Sequence, residues 1–321
     1  MLSRRGVIAG ALCFPVGAAF AQQYPNRPIR LIVPFPPGGG TDTFARVVGD
    51  RLGQSLGAAV VIENRSGAGG NIGLDVVAKS QADGYTIGLG QTSNLAINPG
   101  LYAKMPYDSL RDLAPIGLVA SGPVVMLVNA AAPYANLGDV IAAAKAKPGM
   151  LTMGSPGVGT VGHLVGEMLQ MEAKVRVQHI PYRGASPALT DLLGGRIDFY
   201  FSTVPPALAQ IQGKLLRGIA VTSKKRIPDL PDVPTVEELG FPGFHAASWY
   251  GLVARAGTPA PILERLATDT RKALDSASVR EKFAVEGVEV LSSTPEEFRT
   301  MLEGEIARWG KIVRESGAKV E

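Results

Sequence analysis

The stretch LIVPFPPGGGTDTFARVVGDRL, residues 31–52, decides the fold. A strand spanning Ile29–Val33 runs into a Pro/Gly loop, and the loop opens a helix with Phe44, Val47, Val48 and Leu52 on one face at 3.6-residue spacing. Pro34, Pro36 and Pro37 lack an N–H and stiffen the approach. Gly38, Gly39, Gly40 and Thr41 keep theirs, and the glycines have no side chain to hold a ligand away. Asp42, or Thr41 before it, is placed to cap the helix. Free amides at a helix start, together with its partial positive charge, make an anion site. No lysine follows the glycines and the spacing fits no dinucleotide fingerprint, so a polyphosphate fits poorly. A carboxylate, carrying one charge and held by two N–H groups, fits better.

Outward from this stretch the pattern repeats. Val60–Glu63 reads as a strand, followed by the loop Ser66–Gly70 and a helix carrying Ile72, Val76 and Val77. A third strand, Tyr85–Leu89, ends in Gln91-Thr92-Ser93-Asn94. The pattern restarts with a strand at Val124–Val128 and a helix at Val140–Ala146. LTMGSPGVGTVGHLVGEMLQ, residues 151–170, then repeats the opening architecture without repeating its sequence. A strand at Val175–Ile180, the loop Pro181–Ser186, a helix through Leu192-Leu193 and a strand at Ile197–Phe201 complete that unit. Repeated strand–loop–helix units predict an α/β fold of parallel sheets with helices on both faces.

Beyond a Pro-rich connection at 227–244 the sequence predicts one more strand, Ser248–Val253, and then helices. Thr294 and Glu297 form a capping box, and Phe298, Met301, Leu302, Ile306, Trp309 and Val313 trace an apolar stripe that reads as core. These last helices have no strands of their own, so they are expected to cover the first sheet. The expectation is therefore two lobes, residues 22–122 with 250–321 and residues 123–249, crossed by the chain near 121–125 and again near 246–251. Two crossings make a hinge. Ligands of open α/β sheets lie outside the carboxyl ends of the strands, which here face one another across a cleft.

The bulk numbers leave room for an anionic small molecule. Of 321 residues, 46% are apolar and 19% charged, ample for a packed core. Formal charge is +4, and without Arg4 and Arg5 it is +2, which gives no support for nucleic-acid binding. MLSRRGVIAGALCFPVGAAFAQQ reads as a cleavable export signal over residues 1–21: a basic start, an apolar run from Val7 to Phe20, and Ala19-Phe20-Ala21 for signal peptidase. The expected location is the periplasm. Ser3-Arg4-Arg5 with Val7-Ile8 also resembles a twin-arginine signal, and an ordinary secretory signal fits equally well. Cys13, the one cysteine, lies inside this segment, so the mature chain has no thiol chemistry.

Catalytic and metal readings fare poorly. His163 and Glu167 lie four apart without an HExxH companion and read as a surface pair. Met153-Gly154-Ser155-Pro156-Gly157 misses a nucleophile elbow at its first position. No cofactor, no metal and no catalytic residue is expected. An exported hydrolase using Ser155 with a histidine is the competing reading, and a lobe pair that reports to a membrane sensor is another. For ligand contact the residues offer Ser66–Gly70 and Ser155–Thr160 as further donors. Arg183 fits either a bidentate carboxylate pair or a solvated charge, and Asp198 either ligand contact or hinge support.

Several motifs carry a resemblance to a known family. Tyr24-Pro-x-Arg-Pro-Ile-Arg-Leu-Ile-Val-Pro-Phe-Pro-Pro-Gly-Gly-Gly-Thr-Asp, Val61-Ile-Glu-Asn-Arg-x-Gly-Ala-Gly-Gly-Asn-Ile-Gly and Ala82-Asp-Gly-Tyr-Thr lie in the first half. Gly154-Ser155, Gly159-Thr160 with His163-Leu164, Pro181-Tyr-Arg-Gly and Asp191-Leu-Leu-Gly-Gly-Arg-Ile-Asp lie in the second. In this order, over nearly all of the mature chain, they resemble the Bug family, the extracytoplasmic solute-binding proteins of tripartite tricarboxylate transporters. The resemblance implies a type II-like Venus-flytrap fold, a small carboxylate ligand (an organic, amino or aromatic acid), membrane permease subunits as partners, and a monomer. It also implies contacts at Phe35, Pro37 and on to Asp42, at Ala68 and Gly69, at Thr92 and Ser93, at Ser155, Gly157, Gly159 and Thr160, and at Arg183, Gly184 and Ala185. Relatives commonly carry lysine where this chain has Arg183, which keeps the charge and changes its geometry.

Overall fold

The computed structural model describes residues 24–38, 40–285 and 287–320; the expected signal segment and Gly39 lie outside the described residues. β1 (Ile29–Val33), α1 (Gly40–Leu56), β2 (Val60–Asn64), α2 (Asn71–Ala78), β3 (Thr86–Gln91), α3 (Asn98–Leu101) and β4 (Leu113–Asn129) form the first run. α4 (Leu137–Ala146), β5 (Thr152–Ser155), α5 (Val161–Ala173), β6 (Gln178–Pro181), α6 (Ala185–Leu193), β7 (Phe199–Thr203), α7 (Val204–Gln212) and β8 (Leu216–Val221) form the second. β9 (Ala247–Arg255), α8 (Ala260–Leu274), α9 (Ala277–Val285), β10 (Glu289–Val290) and α10 (Pro295–Ser316) follow.

The strand order is β2-β1-β3-β9-β4-β7-β5-β6, with β8 and β10 also paired to β4. β1 runs parallel to β2 and β3, and β5 runs parallel to β6 and β7. Between these parallel groups stand two antiparallel strands, β9 and β4. β4 belongs to both lobes: Leu113–Pro123 pairs with β9, while Val124–Val128 pairs with β7 and Val125–Asn129 with β8. Only its second half, Val124–Val128, was legible as a strand. Pro115 and Pro123 argue against a central strand, and Pro115 is accommodated because the register with β9 shifts beside it.

Tertiary pairing also moved some strand limits. The strand expected at Val175–Ile180 is Gln178–Pro181, and the one expected at Ile197–Phe201 is Phe199–Thr203. The loop expected after β3 is instead a π-turn, Ser93–Ile97, that continues into α3. Asn94 Oδ1 accepts the Gln91 N–H, 2.9 Å, which turns the chain at the strand's end.

Two features of α10 follow from its sequence. The capping box forms as read, with Thr294 and Glu297 exchanging side-chain and backbone bonds. Phe298, Leu302, Trp309 and Val313 are buried, with Met301 and Ile306 packed beside them. Each such burial contributes roughly 1.5–3 kcal/mol. α10 lies against the π-turn, α3 and β4, and it also reaches α5. One apolar cluster therefore runs from Leu74 and Leu95 through Met126 to Phe199 and Leu164. A second, around Phe44, Ile87 and Leu252, fills the space under α1, α8 and α9, and a third lies under α6 and α7.

Candidate functional site: a cleft lined by helix starts

The loop after β1 ends at α1, whose first-turn amides have no carbonyl four residues back to accept them. Gly38 and Gly40 line a cleft of ≈ 360 Å³ together with Ala185 and Ser186 at the start of α6 and with Thr203 and Val204 at the start of α7. Gly122, Pro123 and Ser248, on the strands that cross between the lobes, form its back. Three helix starts thus point positive ends at one space from both lobes. Among the described residues lining it none carries a charge, and their contribution to the field there comes from backbone dipoles. Phe44 and Tyr250 supply an apolar wall, their rings edge to face at 4.8 Å.

Asp42 does something the loop's sequence did not foretell. Its carboxylate accepts the Gly38 N–H, 3.0 Å, so that amide is already used. It also accepts from Arg46 at 2.9 and 3.1 Å and from Asn64 Nδ2 at 2.9 Å. Burial raises its pKa, but the bonds from Arg46, Gly38 and Asn64 outweigh burial and leave the carboxyl below its usual range. Asp42 is therefore a brace for the loop. Phe35 is half-buried, with its carbonyl accepting Asn64 Nδ2 at 3.0 Å, and Pro37 is exposed. Thr41 is buried and donates to Gln91 Oε1, 3.0 Å, and Gln91 Nε2 donates to Ser93 Oγ, 2.9 Å.

Gly69 and Gly70 adopt positive φ, 63° and 94°. A Cβ on Gly70 would lie 2.5 Å from Asn94 Nδ2 and 3.1 Å from the Phe35 ring, so only glycine lets these groups meet. Asn94 Nδ2 is buried there without a protein partner. Ala68 and Gly69 are exposed, and Gly69 O accepts from Asn98 Nδ2 at 3.2 Å. Thr92 is fully buried; its hydroxyl accepts the Trp249 N–H at 2.8 Å, so it stitches β3 to β9 rather than facing the cleft.

In the second lobe, Ser155 is also fully buried. Its Oγ lies 2.7 Å from His179 Nε2 and accepts the Gly157 N–H at 3.2 Å. Thr160 donates to Gly157 O at 2.7 Å and caps α5. His163 is buried rather than a surface residue, stacks on His179 with centroids 3.9 Å apart, and accepts the Gly159 N–H at 3.2 Å through Nδ1. Burial first, and then His163, lower the His179 pKa to about 3. The Ser155–His179 pair is a brace: the serine is sealed from solvent, and the described residues place no carboxylate on the second imidazole nitrogen. No cluster able to hold a metal occurs among the described residues.

Gly184 donates to Pro156 O at 3.0 Å, which ties this loop to the start of α6, where Ala185 lines the cleft. Arg183 is exposed on the same turn and has no partner among the described residues. Asp198 stands at the opposite, amino-terminal end of β7. Its carboxylate is used by Thr152 N and Oγ1, both at 2.8 Å, and by Tyr134 at 3.1 Å. Of the two readings of Asp198, these bonds favour support, as a brace across β5 and β7. Sequence reading missed Phe44, Ser186, Thr203, Ser248 and Tyr250. Thr203 before Pro205-Pro206 was a usable signal, since prolines begin helices.

A family model described as Tripartite tricarboxylate transporter family receptor matches residues 44–318. Protein BugT of Bordetella pertussis is 41% identical over 94% of this chain and 93% of its own length. The structure of the periplasmic binding protein BugD superposes with a TM-score of 0.83 at 34% identity, covering 93% of this chain and 100% of that one. Rpa4515 of R. palustris, solved with adipate, superposes at 0.85 with 36% identity over 92% of this chain and 100% of its own.

Proposed function

Because this chain belongs to the tripartite tricarboxylate transporter receptor family, we propose that the cleft between its lobes holds a small carboxylate, of which an aliphatic dicarboxylate such as adipate is the model. The protein is a periplasmic solute-binding receptor of two α/β lobes, not an enzyme. The observation that carries the ligand reading is the convergence of the starts of α1, α6 and α7 on one cleft. A carboxylate oxygen there takes amides at Gly40 and Thr41 from one side and at Ala185 and Ser186 from the other. Helix dipoles at such positions contribute about 0.3–1 kcal/mol each. Phe44 and Tyr250 suit the carbon chain, and the exposed Arg183, two residues before the cleft-lining Ala185 and without a partner among the described residues, suits a second carboxylate.

Binding both lobes at once favours whichever arrangement brings them to the ligand, by as much as the two affinities differ. We further propose that the loaded monomer delivers its ligand to membrane permease subunits, after export by a signal within residues 1–21. The binding reading is tested by thermal shift with four- to six-carbon dicarboxylates, aromatic acids, nucleotides and divalent metals. A cleft carboxylate at a hundredfold excess over its Kd adds roughly 2.7 kcal/mol to stability. Ala185→Trp, which fills the cleft, removes that shift. A rise with nucleotide or metal but with no carboxylate would sink the reading. Neither the hydrolase nor the sensor alternative has a supporting observation.

A further inference from the structure

Alternate residues of a strand point to opposite faces of its sheet. On β9, Ser248 and Tyr250 line the cleft, while Ala247 and Trp249 face the other way, into a second and larger cavity of ≈ 550 Å³. Its walls come from both crossing strands, from the segment after β8 and from α10. This cavity is cationic. Of its four basic residues, Arg226 turns to Glu238, 2.9 Å, and Arg308 binds Glu305 and the His245 carbonyl. Glu305 is consumed in turn by Trp249 Nε1 at 3.0 Å and Trp309 Nε1 at 2.9 Å. Glu289 stands exposed on β10 at the edge. Lys224 and Lys225 are left with no partner among the described residues, and the neighbouring Ser223 Oγ is buried and unbonded. Trp249, Leu291 and Met301 make the remaining wall apolar.

From this arrangement we propose that the hinge-back cavity is a second ligand site, for an organic anion with an apolar body. Its acid group meets Lys224, Lys225 and Ser223, and its body lies against Trp249 and Met301. The proposal stands whether or not the cleft takes a carboxylate, because on β9 the two spaces lie on opposite faces, with Gly122 and Pro123 of β4 bordering both. A ligand lodged there touches segments of both lobes and so holds the crossing strands at one separation. The positive field has a second witness in His245, whose pKa is lowered by burial, then by Arg308 and Lys224.

The test uses 1-anilinonaphthalene-8-sulfonate, an apolar anion that takes up tryptophan emission. The chain's two tryptophans both bond Glu305 at this cavity, so their quenching reports occupancy. Expected are saturable quenching and slower hydrogen exchange at residues 121–124 and 246–249. Lys224→Glu with Lys225→Glu, both at exposed positions, weakens the probe at least about tenfold, a loss in the range expected for reversed charge contacts. Ala185→Trp leaves the probe's affinity unchanged. Equal affinity in the double variant, loss of binding in Ala185→Trp, or quenching that never saturates overturns the proposal.

Discussion

At the scale of single residues, the loops around the cleft are held by side chains bonded to one another. Asp42 holds Gly38, Arg46 and Asn64 at once. Asp42→Ala removes the acceptor of the Gly38 amide and one of the two acceptors of Asn64 Nδ2, which keeps the Phe35 carbonyl, and is expected to cost about 1–3 kcal/mol in urea unfolding. Its pKa is lowered on folding, so its stabilisation is complete above the ordinary carboxylate value of 3.8 and is lost as pH falls through the lower folded value. Asp42→Asn flattens that acid limb. His179 works in the opposite direction. The unfolded chain takes up a proton near 6.5 that the folded chain refuses until about 3. Stability therefore declines as pH falls between those values, and His179→Gln makes the melting temperature less pH-dependent across the window. An unchanged slope would show that the imidazole is already charged in the fold.

Elements are placed by close approach as much as by pattern. α5 sits on β7 so tightly that a Cβ on Gly162 would lie 2.5 Å from the Phe201 carbonyl oxygen. Backbone cannot swing aside, so Gly162→Ala is expected to cost roughly 1–3 kcal/mol through overpacking. It also shifts the start of α5 and with it the Gly157–Thr160 loop. Gly166 is a useful contrast, because the atoms in its way belong to the flexible Met153 side chain, Sδ at 1.8 Å. Gly166→Ala is expected to be the milder of the two by circular-dichroism melts. Equal losses would mean that the helix, not the strand, yields at Gly162.

For the whole molecule, the deciding feature is the pair of crossing strands and what ties them. Thr222 accepts the Val124 N–H at 3.0 Å and donates to the Ala246 carbonyl at 2.7 Å, so one hydroxyl clips both crossings. Thr222→Val keeps the shape and leaves the buried Val124 amide unpaired, at a cost of about 1–3 kcal/mol. Hydrogen exchange should rise at residues 122–125 and 246–248, with little change in the β1–β3 core; uniform change would argue against a local clip. Gly159 makes a further contact across the lobes, against Leu101 and Asn98: its φ is +78°, and a Cβ would lie 2.5 Å from Leu101.

What the sequence determined by itself was everything with a local cause. Apolar periodicity specified α1, α5 and α10, Thr294 and Glu297 specified a cap, and glycines after β1 marked where amides would be exposed. The family's motifs lie in local order along the chain, so the two-lobe fold was legible too. Tertiary structure alone decided which polar groups remained for a ligand. Thr92, Ser155, Asp42 and Asp198 were indistinguishable in sequence from contact residues, yet each is consumed by partners between 22 and 157 positions away or on a neighbouring turn. Tyr250, Thr203 and Ser248 entered the cleft because strand pairing and helix starts, fixed by the whole sheet, aimed them there. A hydrogen bond between distant residues leaves no period in the chain, and so the competition for each donor is settled only when the sheet closes.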